Sequence, residues 1–408
     1  MSKPTATEME VSGRRRMDIA WLRILAVLLL FPFHTARVFD VWSDFYVKND
    51  QLSSALTYVI AFMEPWHMPL LFLLAGAASW YALGFRSGRR YSGERVKRLL
   101  VPFLFGVLVL IPPQSYLGLL SHSGSAPGYF TWLPQFFSLQ PDDVDGYFLG
   151  GHTWGQLWFI VHLLVYSLIG LGVMLFLRGD RGRRVVGALA RAAQVPGVIL
   201  LFAFALVPAM AVPEIAGGDP VFYIAIFLLG YLLMADGRFQ KALDANRLPA
   251  LILGPLACVF VAYLDVAGWP ALPAWTHAPL EVYRSIVLPW CCLVALLAYG
   301  RRLLRASGRF VTYASEASYP VYLLHQTVIV AVAFVVVRWD VAVAGKYAAI
   351  LVLSLAVTVL VYDLAVRRVG ALRFVFGMKP ARRTAPAPSM RGAGQLAEVP
   401  AGSVAGAS

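Results

Sequence analysis

Residues 17–38 read MDIAWLRILAVLLLFPFHTARV, and this stretch indicates the fold class. A helix that crosses the hydrocarbon core of a bilayer needs about 20 residues, most of them apolar. The stretch has that length, and Arg23 is the only charged side chain between Asp18 and Arg37 near its two ends. No small-residue cleavage site follows the apolar run, so it predicts a retained first membrane span rather than a cleaved leader.

Nine further stretches of the same kind follow along the chain. With the first, they cover roughly residues 17–38, 60–83, 97–119, 154–177, 195–213, 219–236, 248–267, 283–300, 313–337 and 343–365. The composition agrees, because 59% of the residues are hydrophobic and only 14% are charged, whereas soluble proteins have about 25% charged residues. The sequence predicts an all-α integral membrane bundle of about ten transmembrane helices at 17–367, between a cytoplasmic segment 1–16 and a disordered cytoplasmic tail 368–408.

The basic residues divide the loops into two classes. Most of the 35 Lys and Arg residues lie before residue 17 or within 86–98, 178–191, 238–247, 301–309 and 367–391. These segments alternate with loops that hold few basic residues, and strongly basic loops stay in the cytoplasm. The pattern predicts a multi-pass protein of the inner (plasma) membrane with both termini inside (N-in, C-in). Because topology accounts for most of the net charge of +13, we expect the lipid bilayer and no nucleic acid as a partner.

The first span holds two ionisable residues, Arg23 and His34, at a depth where such groups are costly and are therefore functional candidates. They are eleven residues apart, which is three helical turns plus ~20°, so both lie on one face and about 16 Å apart along the axis. A cation and a titratable base on one face suit binding and proton transfer. The structural alternative is that Arg23 snorkels to the headgroups and His34 is an interfacial residue.

Further candidates are expected at the same outer level as His34. Glu64 and His67 are three residues apart and share a helix face, while Trp154 and Trp158 open the fourth span. Glu64 is a candidate to orient a histidine or to bind a sugar. Neither an H-E-x-x-H motif nor a sequential acidic cluster is present, so we expect no metal.

Four stretches resemble, in order, the motifs of one family. They are Arg23-(ten residues)-His34, MPLLFLLAG at 68–76, RVKRLLVP at 95–102 and SYPVYLLH at 318–325. Each is similar to a segment of the acyltransferase-3 family of membrane O-acyltransferases, and the resemblance covers about residues 14–365. WGQLWFI at 154–160 is closer to the branch that includes the osmoregulated periplasmic glucan succinyltransferase. One departure is Ala75, where many members have serine.

The resemblance implies an enzyme that moves an acyl group, acetyl or succinyl, from cytoplasmic acyl-CoA to a hydroxyl of an outward-facing glycan or glycolipid. Acyl-CoA is then a donor substrate, and no permanently bound cofactor is expected. His34 would act as a general base or form a covalent acyl-histidine, and the sequence does not decide between them. Arg23 would hold a phosphate or an amide oxygen of the donor.

The same resemblance assigns the remaining site residues. The CoA phosphates would be bound by the basic residues at the start of the third helix, Arg95, Lys97 and Arg98. Basic residues that only set the membrane topology would look the same in the sequence. His325 would join His34 and Glu64 in catalysis, and Tyr322 would join Trp154, Trp158 and His67 in substrate binding. The alternative function is a polytopic transporter or flippase for a lipid-linked or small polar substrate. Internal sequence repeats would favour a transporter, and the sequence shows no such repeat.

Overall fold

A computed structural model describes residues 16–138, 151–214 and 219–379, and all regular structure in these ranges is helical. The predicted segment 1–16, apart from its last residue, and the tail beyond residue 379 lie outside the described residues. We number the helices in chain order: α1 Met17–Arg37, α2 Ser54–Gly84, α3 Gly88–Ser123, α4 Tyr129–Phe136, α5 Gly155–Ile169, α6 Leu171–Arg178, α7 Asp180–Ala192, α8 Val198–Ala211, α9 Pro220–Leu233, α10 Gly237–Ala245, α11 Arg247–Ala267, α12 Ala274–Leu303, α13 Arg309–Val336, α14 Val343–Val366 and α15 Gly370–Val375.

The apolar helices correspond to the predicted spans. In the described ranges seven helices, α1, α2, α3, α11, α12, α13 and α14, are long and apolar enough to cross a membrane. The bent pairs α5–α6 and α9–α10 would each add a crossing, and α8 is a shorter apolar helix. The all-helical membrane architecture with multiple spans is confirmed, while the count of ten and the sidedness stay predictions.

Helix α8 has only 14 residues, but its axial length is greater than that of an α-helix with the same number of residues. Its segment Phe202–Ala211 is a 3-10 helix, which rises about 2.0 Å per residue instead of 1.5 Å. With the α-helical turn Val198–Leu201, the segment is about 26 Å long. This length approaches the ~30 Å of a hydrocarbon core.

Helix α10 turns away from α9 by 106°, so the sixth predicted span consists of α9 alone. The turn is capped by Asp236, which accepts a hydrogen bond from the backbone N–H of Arg238 at 2.9 Å. On α10, Gln240 Oε1 accepts hydrogen bonds from Arg16 at 3.2 Å and from Arg301 at 2.9 Å. Helix α10 therefore ties α1 to α12 at the end of the bundle that carries the basic loops.

Prolines affect α1 and α2 differently. In α1 the regular helix is interrupted at Leu29, because Pro32 has no N–H to offer the carbonyl of Leu28 four residues earlier. The interruption therefore comes one turn before His34. Helix α2 contains Pro65 and Pro69 but continues unbroken from Ser54 to Gly84.

Two glycines bring α2 and α9 into direct backbone contact. A Cβ atom added to Gly76 would lie 1.8 Å from the carbonyl oxygen of Phe227, and one added to Gly230 would lie 2.1 Å from that of Leu73. Small residues permit this close approach between membrane helices, where packing replaces the hydrophobic driving force. The contact fixes α2, the most buried of the spans, at the centre of the bundle.

Candidate active site

Near the C-terminal end of α1, a cavity of about 860 Å³ opens between α1, α2, α9 and α12. Five carboxylates line it, so we call it the acidic cavity: Glu64, Glu214, Asp219, Asp265 and Glu281. Four residues predicted for the site also line it: His34, Glu64, His67 and Trp158. The structure thus brings together the outer candidates of the first, second and fourth predicted spans.

His34 lies beside a second histidine, His325 of α13, with ring centroids 5.1 Å apart. His325 is completely buried, and its Nδ1 donates a hydrogen bond to the carbonyl oxygen of Tyr322. His325 Nε2 and His34 Nδ1 are both buried and make no hydrogen bond to any described residue. Because Nδ1 of His34 is shut away, Nε2 is the nitrogen that can meet a substrate in the cavity.

His67 and Glu64 differ in their hydrogen bonds to the rest of the protein. His67 Nε2 donates a 2.6 Å hydrogen bond to the carbonyl oxygen of Ala26, which ties α2 to α1 between Arg23 and His34. Glu64 makes no hydrogen bond or ion pair within the described chain, so the suggestion that it orients a histidine is not supported. Its carboxylate faces the cavity and is available to an acceptor hydroxyl.

The predicted aromatic residues separate into two groups. Trp158 lines the acidic cavity with its ring 5.5 Å from that of Tyr223, which lines the same cavity. Trp154 packs edge-on against Phe103, with ring centroids 5.7 Å apart, and does not line the acidic cavity. The hydroxyl of Tyr322 donates to the backbone carbonyl of Gln156, so Tyr322 serves packing between α13 and α5. Neither Trp154 nor Tyr322 lines the acidic cavity, and contact of these two residues with a substrate stays a prediction.

The loop after α1 supplies a residue that sequence reasoning missed. The ring of Phe45 stacks over His34, with centroids 6.1 Å apart and planes 23° apart. His122 Nε2 donates a 2.9 Å hydrogen bond to the carbonyl of Phe45. His122 thus supports the loop that covers His34, and no motif in the sequence indicated this role.

Asp40 organises the same loop. It is completely buried and accepts hydrogen bonds from Lys48 Nζ at 3.2 Å and from the backbone N–H of Trp42 at 2.9 Å. Burial lowers the pKa of Lys48, and the adjacent Asp40 carboxylate opposes that shift. The ion pair fixes the loop and therefore the position of Phe45.

A second cavity, of about 690 Å³, lies at the opposite end of α1. Four cationic residues line it, so we call it the basic cavity: Arg16, Arg23, Arg98 and Lys379. Arg16 is paired with Asp18 at 2.7 Å. The guanidinium groups of Arg23 and Arg98 make no hydrogen bond or ion pair within the described ranges, so they are available to an anion.

The predicted phosphate-binding residues of α3 do not act as one group. Arg98 lines the basic cavity, but Arg95 donates to Ser79 Oγ at 2.8 Å and lies 5.0 Å above the ring of Tyr91. Lys97 is exposed and lines neither cavity described here. The three residues lie within about one turn of α3, where each residue is rotated by about 100° from the one before it. Their side chains therefore point in different directions, and the basic run cannot be assigned to one ligand as a whole. The structure adds Arg16 and Lys379 instead.

Helix α1 links the two cavities. Arg23 faces the basic cavity and His34 faces the acidic cavity, about 16 Å apart along the helix. Between them lies a layer of buried apolar residues from α1, α2 and α13, including Ala26, Leu74 and Leu323. A long, thin, largely uncharged arm would be needed to reach from one cavity to the other.

The described residues also bear on metal binding. No group of three or more His, Cys, Asp or Glu side chains in 16–138, 151–214 and 219–379 is arranged to hold a metal ion. The histidines of the acidic cavity are instead surrounded by aromatic rings.

Comparisons with known proteins found a matching family model and several similar proteins. A family model described as an acyltransferase domain matches residues 17–363. Among the similar proteins is the glucans biosynthesis protein C of Salmonella paratyphi A, 23% identical over 376 residues, covering 88% of this chain and 93% of the relative. The protein of that name from Salmonella schwarzengrund is 22% identical over 375 residues, with the same coverage. No solved structure matches the chain at a significant level.

Proposed function

The chain belongs to the acyltransferase-3 family, and on that premise we propose that it transfers an acyl group from acyl-CoA in the basic cavity to a glycan hydroxyl in the acidic cavity. One observation carries the proposal: a single helix presents Arg23 to the first cavity and His34 to the second. Membrane location and transferase activity follow from the family, while the donor, the acceptor and the direction are part of the proposal.

The basic cavity suits the nucleotide end of acyl-CoA. Phosphates favour guanidinium groups because the planar fork forms paired, charge-assisted hydrogen bonds. Arg23 and Arg98 offer such groups without a competing carboxylate at hydrogen-bonding distance. The pantetheine arm carries no charge of its own, so it passes the apolar layer at a much lower desolvation cost than the nucleotide would.

The acidic cavity suits a saccharide acceptor. Trp158 and Tyr223 present aromatic faces, and Glu64 offers a hydrogen-bond acceptor to a hydroxyl group. The relatives are named for the biosynthesis of glucans, so we propose a glucan as the acceptor. For the acyl group we propose acetyl or succinyl.

The chemistry centres on Nε2 of His34. In the proposed step Nε2 removes the proton of the acceptor hydroxyl as the oxygen attacks the thioester carbonyl carbon. The C–S bond then breaks, and the CoA thiolate takes the proton from His34 to leave as a thiol. The competing route is attack by His34 itself, with an acyl-imidazole that the acceptor oxygen resolves.

His325 is proposed to set the tautomer of His34. Since His325 Nδ1 donates to a carbonyl, its Nε2 carries a lone pair when the ring is neutral. Nε2 of His325 and Nδ1 of His34 make no hydrogen bond to each other in the structure, but the ring centroids are 5.1 Å apart. We propose that a small shift of either ring brings this lone pair to the proton on Nδ1 of His34. A proton held on Nδ1 leaves Nε2 free to act as the base.

Mass spectrometry of cell-envelope glycans tests the function. Strains with and without the gene should differ by an acyl ester on a glycan, and the gene carrying His34→Gln should fail to restore it. Identical glycan spectra with and without the gene would count against the proposal. No observation favours the alternative of a transporter or flippase.

A further inference from the structure

Residues 370–379, which follow the last span, fold back onto the basic end of the bundle. They comprise α15 and residues 376–379, which we call the C-terminal strap, and they lie beyond the part of the chain that the family model matches. Phe376 is only 3% exposed and its ring lies 5.3 Å from that of Phe105 in α3. The strap is thus packed against the bundle, although the sequence placed it in a disordered tail.

Arg373 fixes the end of the strap. Its side chain is buried and donates two hydrogen bonds to the carbonyl oxygen of Lys379, at 2.8 and 3.1 Å. The same guanidinium forms an ion pair with Glu316 of α13 at 3.0 Å and donates to the carbonyl of Arg367 at 3.1 Å. A buried cation with this many fixed acceptors holds the backbone of Lys379 against α13.

Gly377 fixes the path of the strap towards the cavity. Its φ angle is +66°, and a Cβ atom there would lie 2.8 Å from the carbonyl oxygen of Arg98 and 2.9 Å from the ring of Tyr319. Tyr319 in turn donates a 3.1 Å hydrogen bond to the same Arg98 carbonyl. A glycine is required both by the backbone conformation and by this close contact with α3.

The consequence is a second available cation at the mouth of the basic cavity. Lys379 lines that cavity together with Arg98, and its ammonium group makes no hydrogen bond or ion pair within the described chain. Arg23 lines the same cavity from a position about 9 Å along α1 from Met17, in the direction of His34. The cavity therefore has two cationic levels, one at its mouth and one further in.

We propose that Lys379 and Arg98 together bind the 3′-phosphate of the donor, while Arg23 binds the pyrophosphate. The inference rests on the proposed function and adds to it a binding residue outside the family domain. The bulky nucleotide must stay at the mouth, because it would pass the apolar layer at a much higher desolvation cost than the pantetheine arm. The two phosphate groups of CoA then match the two cationic levels.

Binding of CoA and of 3′-dephospho-CoA to the purified full-length protein, in detergent without anionic lipid, tests this assignment. Lys379→Gln should raise the Kd for CoA about fivefold, near the upper end for a solvent-accessible charge pair, and leave that for 3′-dephospho-CoA unchanged. Lys379→Arg should retain binding. The control is Lys241→Gln, an exposed lysine of α10 that does not line the cavity, and it should change neither Kd.

A glycine variant separates placement from charge. Gly377→Ala removes no charge but should displace the strap and weaken CoA binding in the same selective way. Gly370→Ala is its matched control, since a Cβ atom there meets nothing within 4 Å. Thermal unfolding of each variant establishes that the protein remains folded.

The outcomes distinguish the two proposals. If the unaltered protein binds CoA but Lys379→Gln and Gly377→Ala bind it as well as their controls, the role of the strap is wrong and the acyltransferase proposal stands. Equal weakening for CoA and 3′-dephospho-CoA would also overturn the assignment to the 3′-phosphate. If the unaltered protein binds neither nucleotide, the proposed function itself fails.

Discussion

At the scale of single residues, His34 gains its environment from parts of the chain that are far apart in sequence. Phe45 of the following loop stacks over its ring, and His325 of α13 lies beside it. The helical spacing in the sequence was enough to put Arg23 and His34 on one face. The sequence near His34 could not, however, predict that its ring would lie beside the ring of His325, because the two residues belong to different helices.

The first prediction concerns these two histidines. His34→Gln keeps a polar side chain but cannot accept the proton, so it should lower kcat by about 10²–10⁴-fold. His325→Gln removes the proposed partner of Nδ1 and should lower kcat less, with the KM for acyl-CoA unchanged. Steady-state kinetics on folded protein checks both. A KM effect without a kcat effect for His325→Gln would show that it does not act through His34.

The second prediction concerns the cations of the donor site. Arg98→Gln should raise the KM for acyl-CoA by a larger factor than it lowers kcat, because phosphate contacts contribute mainly to binding. Lys97→Gln, on the adjacent but exposed residue, should change that KM less. Arg23→Lys keeps the charge without the fork and should retain partial activity. Equal effects of Arg98→Gln and Lys97→Gln would mean that α3 does not bind the donor as described.

At the scale of helices, the apolar runs predicted where helices lie but not how they cross. Gly76 was visible in the sequence as part of a motif, whereas Gly230 was one glycine among many. Only the fold shows that each meets a backbone carbonyl of the other helix, at Phe227 and at Leu73. Crossing contacts depend on pairs of positions in different spans, and hydropathy carries no information about such pairs.

The third prediction tests this crossing. Gly230→Ala should destabilise the protein by about 1–3 kcal/mol, the usual cost of forcing an extra group into a packed interface. Gly172→Ala is the matched change, because a Cβ atom at this helical glycine meets nothing within 4 Å, and it should be neutral or stabilising. Thermal unfolding in one detergent compares them. Equal unfolding temperatures for both variants would contradict the close α2–α9 contact.

At the scale of the whole molecule, the two cavities lie at opposite ends of α1 and differ in charge. The basic loops of the sequence predict which end is cytoplasmic, and the structure gathers Arg16, Arg98 and Arg301 at that end through shared contacts. This arrangement explains how one protein could use a donor from one side of a membrane and an acceptor from the other.

The fourth prediction concerns sidedness. Cysteines introduced at Ser125 and Ser307, both exposed, should react with a membrane-impermeant thiol reagent from outside and from inside, respectively. The native cysteines, Cys258, Cys291 and Cys292, are buried, so the unaltered protein serves as the background control. Labelling of both positions from the same side would contradict the predicted topology.

Transfer across a closed membrane tests the central claim most directly. Proteoliposomes containing the purified protein would hold glucan inside, and acyl-CoA would be added only outside. We expect the enclosed glucan to be acylated by the unaltered protein but not by His34→Gln at equal protein content. Acylation that occurs only when glucan and acyl-CoA are on the same side, or that His34→Gln supports at the same rate, would contradict this account.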